Sequence, residues 1–181
     1  MSRPPDDGRL PPTAAEPTSF PRYLQDVARI SYVDPSSLTD RELVEEMAFS
    51  QRYGTPRPET QSIRSHVPDV AKAFSRGWNR IFRQGIVEHP LKELCFAYVT
   101  DPDTVDVAAY EGRERVALEW AHAIVWDADA STDELWSRLH ASFSEEELVE
   151  LGCAIGFELG RTHFLRTLGA DPSAVRASQL P

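Results

Sequence analysis

The amino-acid sequence predicts an all-α protein, a compact bundle of six or seven helices, on three observations. Apolar side chains recur three and four positions apart in one segment after another, as one face of a helix requires. Capping residues, early prolines and glycine stops punctuate those segments. No segment alternates apolar and polar residues with β-branched enrichment between hairpin turns, so nothing reads as a sheet.

The elements follow in order. Residues 1–19, "MSRPPDDGRLPPTAAEPTS", hold five prolines and almost no large apolar side chain, and are expected to form a disordered tail ahead of a single domain over 20–181. From Phe20, the spacing of Tyr23, Leu24, Val27 and Ile30 behind Pro21 predicts a short helix. "SSLTDRELVEEMAFSQRYG" predicts a second, with Thr39 as N-cap, Glu42 three positions on, and Gly54 as stop. Pro56 and Pro58 signal a turn, the chain breaks before Pro68, and Val70, Phe74, Trp78, Ile81 and Phe82 form the stripe of an amphipathic helix ending at Gly85.

"EHPLKELCFAYVT" places Pro90 in a first turn and surrounds the axis with apolar groups, the pattern of a core helix. In "GRERVALEWAHAIVWD", Arg115, Glu119 and His122 share a polar sector, which predicts a helix on the bundle surface. "STDELWSRLHASF" starts with Ser131 or Thr132 as cap and acidic residues in its first turn. The last helix opens on Ser144 and Glu147 at capping-box spacing, is almost wholly apolar from Leu148 to Gly160, and stops at Gly169.

Composition narrows the function classes. A chain of 181 residues can bury one sizeable core. Its formal charge of -10 repels phosphate backbones and anionic lipid, so nucleic acid and membrane surfaces are not expected partners. No apolar run approaches the roughly 20 residues that cross a bilayer, and the N-terminus lacks the order of a secretory signal, so a cytoplasmic location is expected. Cys95 and Cys153 stand alone inside apolar helical segments and read as buried free thiols. His66, His89 and His140 have no metal-ligand spacing, and Asp101, Asp103 and Asp106 lack the glycine and distal glutamate of a calcium loop. No metal and no cofactor are expected.

The succession "TPRPETQSIRSHVPDVAKAFSRGWNRIF", "HPLKEL", "RERVALEWAHAI" and "FSEEELVELGCAIGFELGRTHFLRTLG" resembles the carboxymuconolactone decarboxylase and AhpD-like superfamily over roughly residues 55 to 169. The resemblance implies an AhpD-like helical bundle and assembly through helical faces, hence a homo-oligomer. In that family the helix bearing the "KEL" word leads into Cys-x-x-Cys-x-x-x-His, where one low-pKa thiol attacks a peroxide and a second resolves it. Here "DPDTVDVAAYEG" stands in that place without either sulfur. Thiol peroxidase activity is therefore not expected. The resemblance leaves the decarboxylase branch, which acts on small lactone carboxylates without a cofactor.

By the resemblance, Glu93 matches the family's proton-relay glutamate. Phe96 and Ala97, three and four residues on, would desolvate it and raise its pKa. A structural ion pair with a lysine or arginine of another helix is the competing account of Glu93. His163 follows a ridge of small residues, Gly152, Gly156 and Gly160, which predicts an imidazole in a tight seam between helices, able to move protons or simply bonded to a carbonyl. Glu93 and His163 are the candidate catalytic pair. Tyr98, Trp126, Glu158 and Arg161 are the candidate substrate-binding residues, the first two as pocket walls, while an ion pair between Glu158 and Arg161, three positions apart, is the simpler account of the last two. His122 reads as a solvated surface residue. Two functions fit: a cofactor-free small-molecule enzyme that decarboxylates, opens lactones or rearranges rings by proton transfer, or a non-catalytic oligomeric binding or scaffold protein.

Overall fold

The computed structural model describes residues 29–53 and 58–169. The expected N-terminal tail, the helix from Phe20, the stop at Gly54 and the turn at Pro56 lie outside the described residues. Within them the chain is all-helical: α1 (Arg41–Tyr53), α2 (Pro58–Arg64), α3 (Pro68–Trp78), α4 (His89–Thr100), α5 (Gly112–Val125), α6 (Asp133–Ser142) and α7 (Glu145–Thr167), joined by turns and short 3-10 segments.

Local chemistry sets the helix ends. Asp40, not Thr39, caps α1, its carboxylate accepting from the Leu43 amide at 3.0 Å. The Thr132 hydroxyl accepts from Leu135 to open α6, and Ser144 with Glu147 completes the capping box of α7. Pro68 and Pro90 open α3 and α4. Helix α3 runs on through one π turn, Asn79–Arg83, and the chain then reverses at Gly85, whose φ of 134° suits glycine. A Cβ there would also collide with the Glu150 carboxylate, which accepts from the amides of Ile86 at 2.8 Å and Val87 at 3.1 Å.

Helix α2 was not evident in the sequence because it has no apolar stripe. Its buried residues include Glu59, Thr60, Gln61, Ser62 and Arg64. Hydrogen bonds hold it instead: Gln61 Nε2 donates to Ser75 Oγ at 2.6 Å, and Ser62 Oγ to the Val33 carbonyl at 2.7 Å.

Helix α4 sits at the centre, packed on α5 and α7, with α6 closing over α5 and with α1, α2 and α3 grouped at one side. Two apolar clusters form the core. The larger joins Leu91, Cys95 and Val99 of α4 with Leu118 and Trp120 of α5, Leu139 of α6 and Leu151 and Ile155 of α7. The smaller is aromatic: Phe82 stacks on Phe96 with centroids 4.5 Å apart, Trp78 lies 4.7 Å from Phe82, and Phe74 lies 4.8 Å from Phe157.

Three expectations are corrected here. Helix α5 is not peripheral: Ala117, Ala121 and Ala123 are buried, and their small side chains admit α4, α6 and α7 on several sides. Val70 of the α3 stripe is exposed. The glycine ridge of α7 meets no second backbone, since Gly152 faces the Trp120 ring and a Cβ at Gly156 or Gly160 would touch nothing within 4 Å.

Candidate functional site

The last turn of α4 carries Tyr98, a buried member of the larger core cluster, against α5. Its ring is buried, and its hydroxyl lies 3.0 Å from Nδ1 of His122, which stands on the exposed side of α5. Trp126, one turn beyond His122, meets Tyr98 edge-on at 5.2 Å and flanks the imidazole at 5.5 Å. Tyr98 and His122 border a cleft of about 370 Å³ between α4, α5 and α6, to which Leu118, Glu119, Thr132 and Arg138 also contribute, whereas Trp126 packs on the two rings without lining it.

Charge is placed firmly at the cleft. Glu119 bonds Arg115 Nε and Arg138 Nη2, each at 2.6 Å, and Arg115 donates further to the Val107 carbonyl at 2.9 Å. Burial pushes the Glu119 carboxyl up, but the two guanidinium groups outweigh it and hold the acid below its usual range. Burial also pushes the Tyr98 phenol up, so it stays protonated at neutral pH. The cleft therefore presents a phenol, an imidazole and a paired Arg138 over an apolar floor. A histidine with one ring nitrogen hydrogen-bonded can use the other for proton transfer.

The residues predicted from sequence fall in three places. Glu93 is exposed on the outer face of α4, its side chain 62% accessible, and pairs with His89 of its own helix at 3.5 Å. The expected desolvation does not occur, because the Phe96 ring turns inward onto Trp78 and Phe82. The partner is also not the lysine or arginine of another helix that the ion-pair account required. His163 is exposed on α7 instead of in a seam.

Tyr98 and Trp126 touch edge-on, but of the two only Tyr98 lines the cleft. Glu158 and Arg161 form a buried pair: Arg161 Nε donates to Glu158 Oε2 at 2.7 Å, and Glu158 Oε1 also accepts from Thr100 at 3.0 Å and Thr162 at 3.1 Å. This pair belongs to α7 and not to the Tyr98 cleft.

His122, Glu119 and Arg138 were not among the predicted site residues. The polar sector of α5 was visible in the sequence, and so was a tryptophan four positions after His122. That Tyr98 of another helix reaches the same sector was not.

The cysteines divide. Cys95 is buried in the core, and burial pushes its thiol up to about 12, whereas Cys153 is exposed and not buried as expected. Among the described residues no group of three or more His, Cys, Asp or Glu side chains could hold a metal ion, and no helix is long and apolar enough to cross a membrane. Comparison with protein-family models, with curated proteins and with solved structures finds no match for this chain.

Proposed function

We propose that this chain is a cofactor-independent, cytoplasmic small-molecule enzyme of the carboxymuconolactone decarboxylase-like type, working by proton transfer and not by thiol peroxidase chemistry. The reacting cleft is the one at Tyr98 and His122. The observation that carries this reading is the 3.0 Å hydrogen bond between the Tyr98 hydroxyl and His122 Nδ1 at the wall of that cleft. In the tautomer whose Nδ1–H donates to the phenol oxygen, Nε2 holds the ring's lone pair and accepts a proton from a carbon or hydroxyl acid. The resulting imidazolium returns it to the rearranged substrate; in a decarboxylation the carboxylate leaves as carbon dioxide and the imidazolium, protonated from solvent, delivers its proton to the carbanion left behind. Arg138 at the rim supplies positive charge for a substrate carboxylate.

The test is a panel of unsaturated γ-lactone carboxylates, followed by loss of ultraviolet absorbance and release of carbon dioxide. Turnover of at least one member is expected. His122→Gln lowers its kcat by about 10²- to 10⁴-fold, and Tyr98→Phe shifts the pH profile. Activity that survives His122→Gln but is lost in Glu93→Gln or His163→Ala would return the chemistry to the pair predicted from sequence. No turnover across the panel defeats the enzyme reading.

A second reading, a non-catalytic homo-oligomer, is favoured by the outer face of α7. There Val149 is 67% exposed beside a shallow hollow lined by Trp136, Leu148 and Cys153. Light scattering decides it: a multimer that Val149→Glu dissociates supports assembly through this face.

A further inference from the structure

On the side of the bundle formed by α2, α3 and α7 lies a second, larger hollow of about 600 Å³. Its walls are apolar, with Phe74, Phe157 and Phe164 on two sides and the exposed side chains of Val67 and Val70 at the mouth. Its floor is charged. Arg64 and Arg161 both line it, although only 8% and 9% of their surface is accessible.

The charges in that floor do not balance. Arg161 is matched by Glu158, whose two oxygens are already used by Arg161, Thr100 and Thr162. Arg64 has five donors, and among the described residues its guanidinium donates to one acceptor, the Thr60 carbonyl of its own helix at 3.0 Å. Its flat face rests 3.5 Å from the centre of the Phe74 ring, which fixes its orientation. Among the described residues no carboxylate lies within ion-pair distance of it. Two guanidinium groups thus share one carboxylate at the base of an apolar hollow.

A buried guanidinium without a counter-charge is costly unless an anion completes it. Gly156 and Gly160 keep the hollow open along α7, where added side chains would meet empty space. We propose that this hollow binds a small molecule with one carboxylate and an apolar body, the carboxylate taken up by Arg64 beside Arg161 and the body laid against Phe74, Phe157 and Phe164. This site is built from other helices than the Tyr98 cleft and stands whether or not that cleft is catalytic.

Titration calorimetry of the full chain with hexanoate, heptanoate, octanoate, octan-1-ol and 3-phenylpropanoate tests it. One octanoate binds per chain, with affinity rising about threefold to fourfold per added methylene, and octan-1-ol binds at least about tenfold more weakly. 3-Phenylpropanoate distinguishes an aromatic from an aliphatic body. Arg64→Met removes the preference for the acid over the alcohol. Gly160→Leu fills the hollow from a position that tolerates a side chain, and lowers octanoate affinity at least tenfold while the melting temperature holds. That variant decides the matter should Arg64→Met fail to fold. The proposal is overturned if the alcohol binds as well as the acid, if Gly160→Leu leaves affinity unchanged, or if no acid binds. It is equally overturned if Gly160→Leu instead dissociates a dimer, which would make a second copy the occupant.

Discussion

Arg64 carries two opposed properties in one side chain. Burial, then repulsion from Arg161, brings its pKa down to about 9 from an ordinary 12.5, against the attraction of Glu158. A base whose folded-state pKa is depressed costs stability wherever both states are protonated, and that cost shrinks as pH rises above the folded value. At neutral pH the guanidinium is still charged and therefore works against folding. Arg64→Met should accordingly raise the stability of the ligand-free protein by about 1 to 2 kcal/mol, since apolar replacement of a poorly compensated buried charge is often stabilising. Urea denaturation measures this, and a destabilised variant would mean that the Thr60 bond and the Phe74 contact outweigh the desolvation. The same charge should make octanoate affinity flat from pH 6.5 to 8 and weaker above about 9. Arg161 and Glu158 of α7 are the charged groups that act on Arg64, and His66 of the α2–α3 turn lines the same hollow. The cysteines give a simpler contrast. Iodoacetamide should label Cys153 in the native protein and reach Cys95 only after unfolding, because Cys95 is wholly enclosed and its thiol is held protonated.

Among the elements, the turn between α3 and α4 depends on one carboxylate. Glu150 of α7 binds the Ile86 and Val87 amides and forms an ion pair with Lys92, whose side chain is 1% accessible and whose ammonium also donates to the Ile81 carbonyl at 2.8 Å. Glu150→Leu leaves that ammonium buried without a counter-charge and should cost about 3 to 5 kcal/mol. Adding Lys92→Met should restore a good part of the loss, and a double variant no more stable than Glu150→Leu alone would assign the effect to the turn amides. Neither residue was singled out as an ion pair from the sequence, because the two are far apart in the chain and each reads as the odd polar residue of an apolar helix. The signals that were legible are local: Ser144 with Glu147, Thr132, Pro90 and the Gly169 stop each act within one turn of helix. What was not legible depends on neighbours. Glu93 stands three residues from a phenylalanine, yet it faces outward because Trp78 and Phe82 draw that ring to the other side. Tyr98 was named as a pocket residue, but its partner His122 was assigned to solvent, since a polar sector on one helix does not reveal which side chain of another will reach it.

For the whole molecule, one arginine ties four helices together. Arg113, at the start of α5, bonds Glu88 ahead of α4 at 2.8 and 3.0 Å, the Ser142 carbonyl at the end of α6 at 2.6 Å, and Glu147 in the first turn of α7 at 2.7 Å. Its guanidinium also lies 4.1 Å from the centre of the Phe143 ring. The hydrogen bonds from Arg113 hold the carboxyls of Glu88 and Glu147 below their ordinary value of 4.5, and Glu147 is lowered further by the Ser144 amide of the capping box. Acids with depressed folded-state pKa values contribute stability that is complete above the unfolded value and is lost as pH falls through the folded one. The melting temperature should thus be level from pH 6 to 8 and fall below about 4.5, as the junction loses its negative partners. Glu119 and Glu150, also lowered, add to the same acid limb. Arg113→Met separates the contributions. It should lower stability by about 1 kcal/mol at pH 7, the range of partly exposed ion pairs, and should make the acid limb shallower because Glu88 and Glu147 then titrate nearer their ordinary value. Thermal midpoints of both proteins from pH 3 to 8 provide the measurement. Parallel curves would mean that the acid sensitivity arises elsewhere, with Glu119 and Glu150 the next to replace.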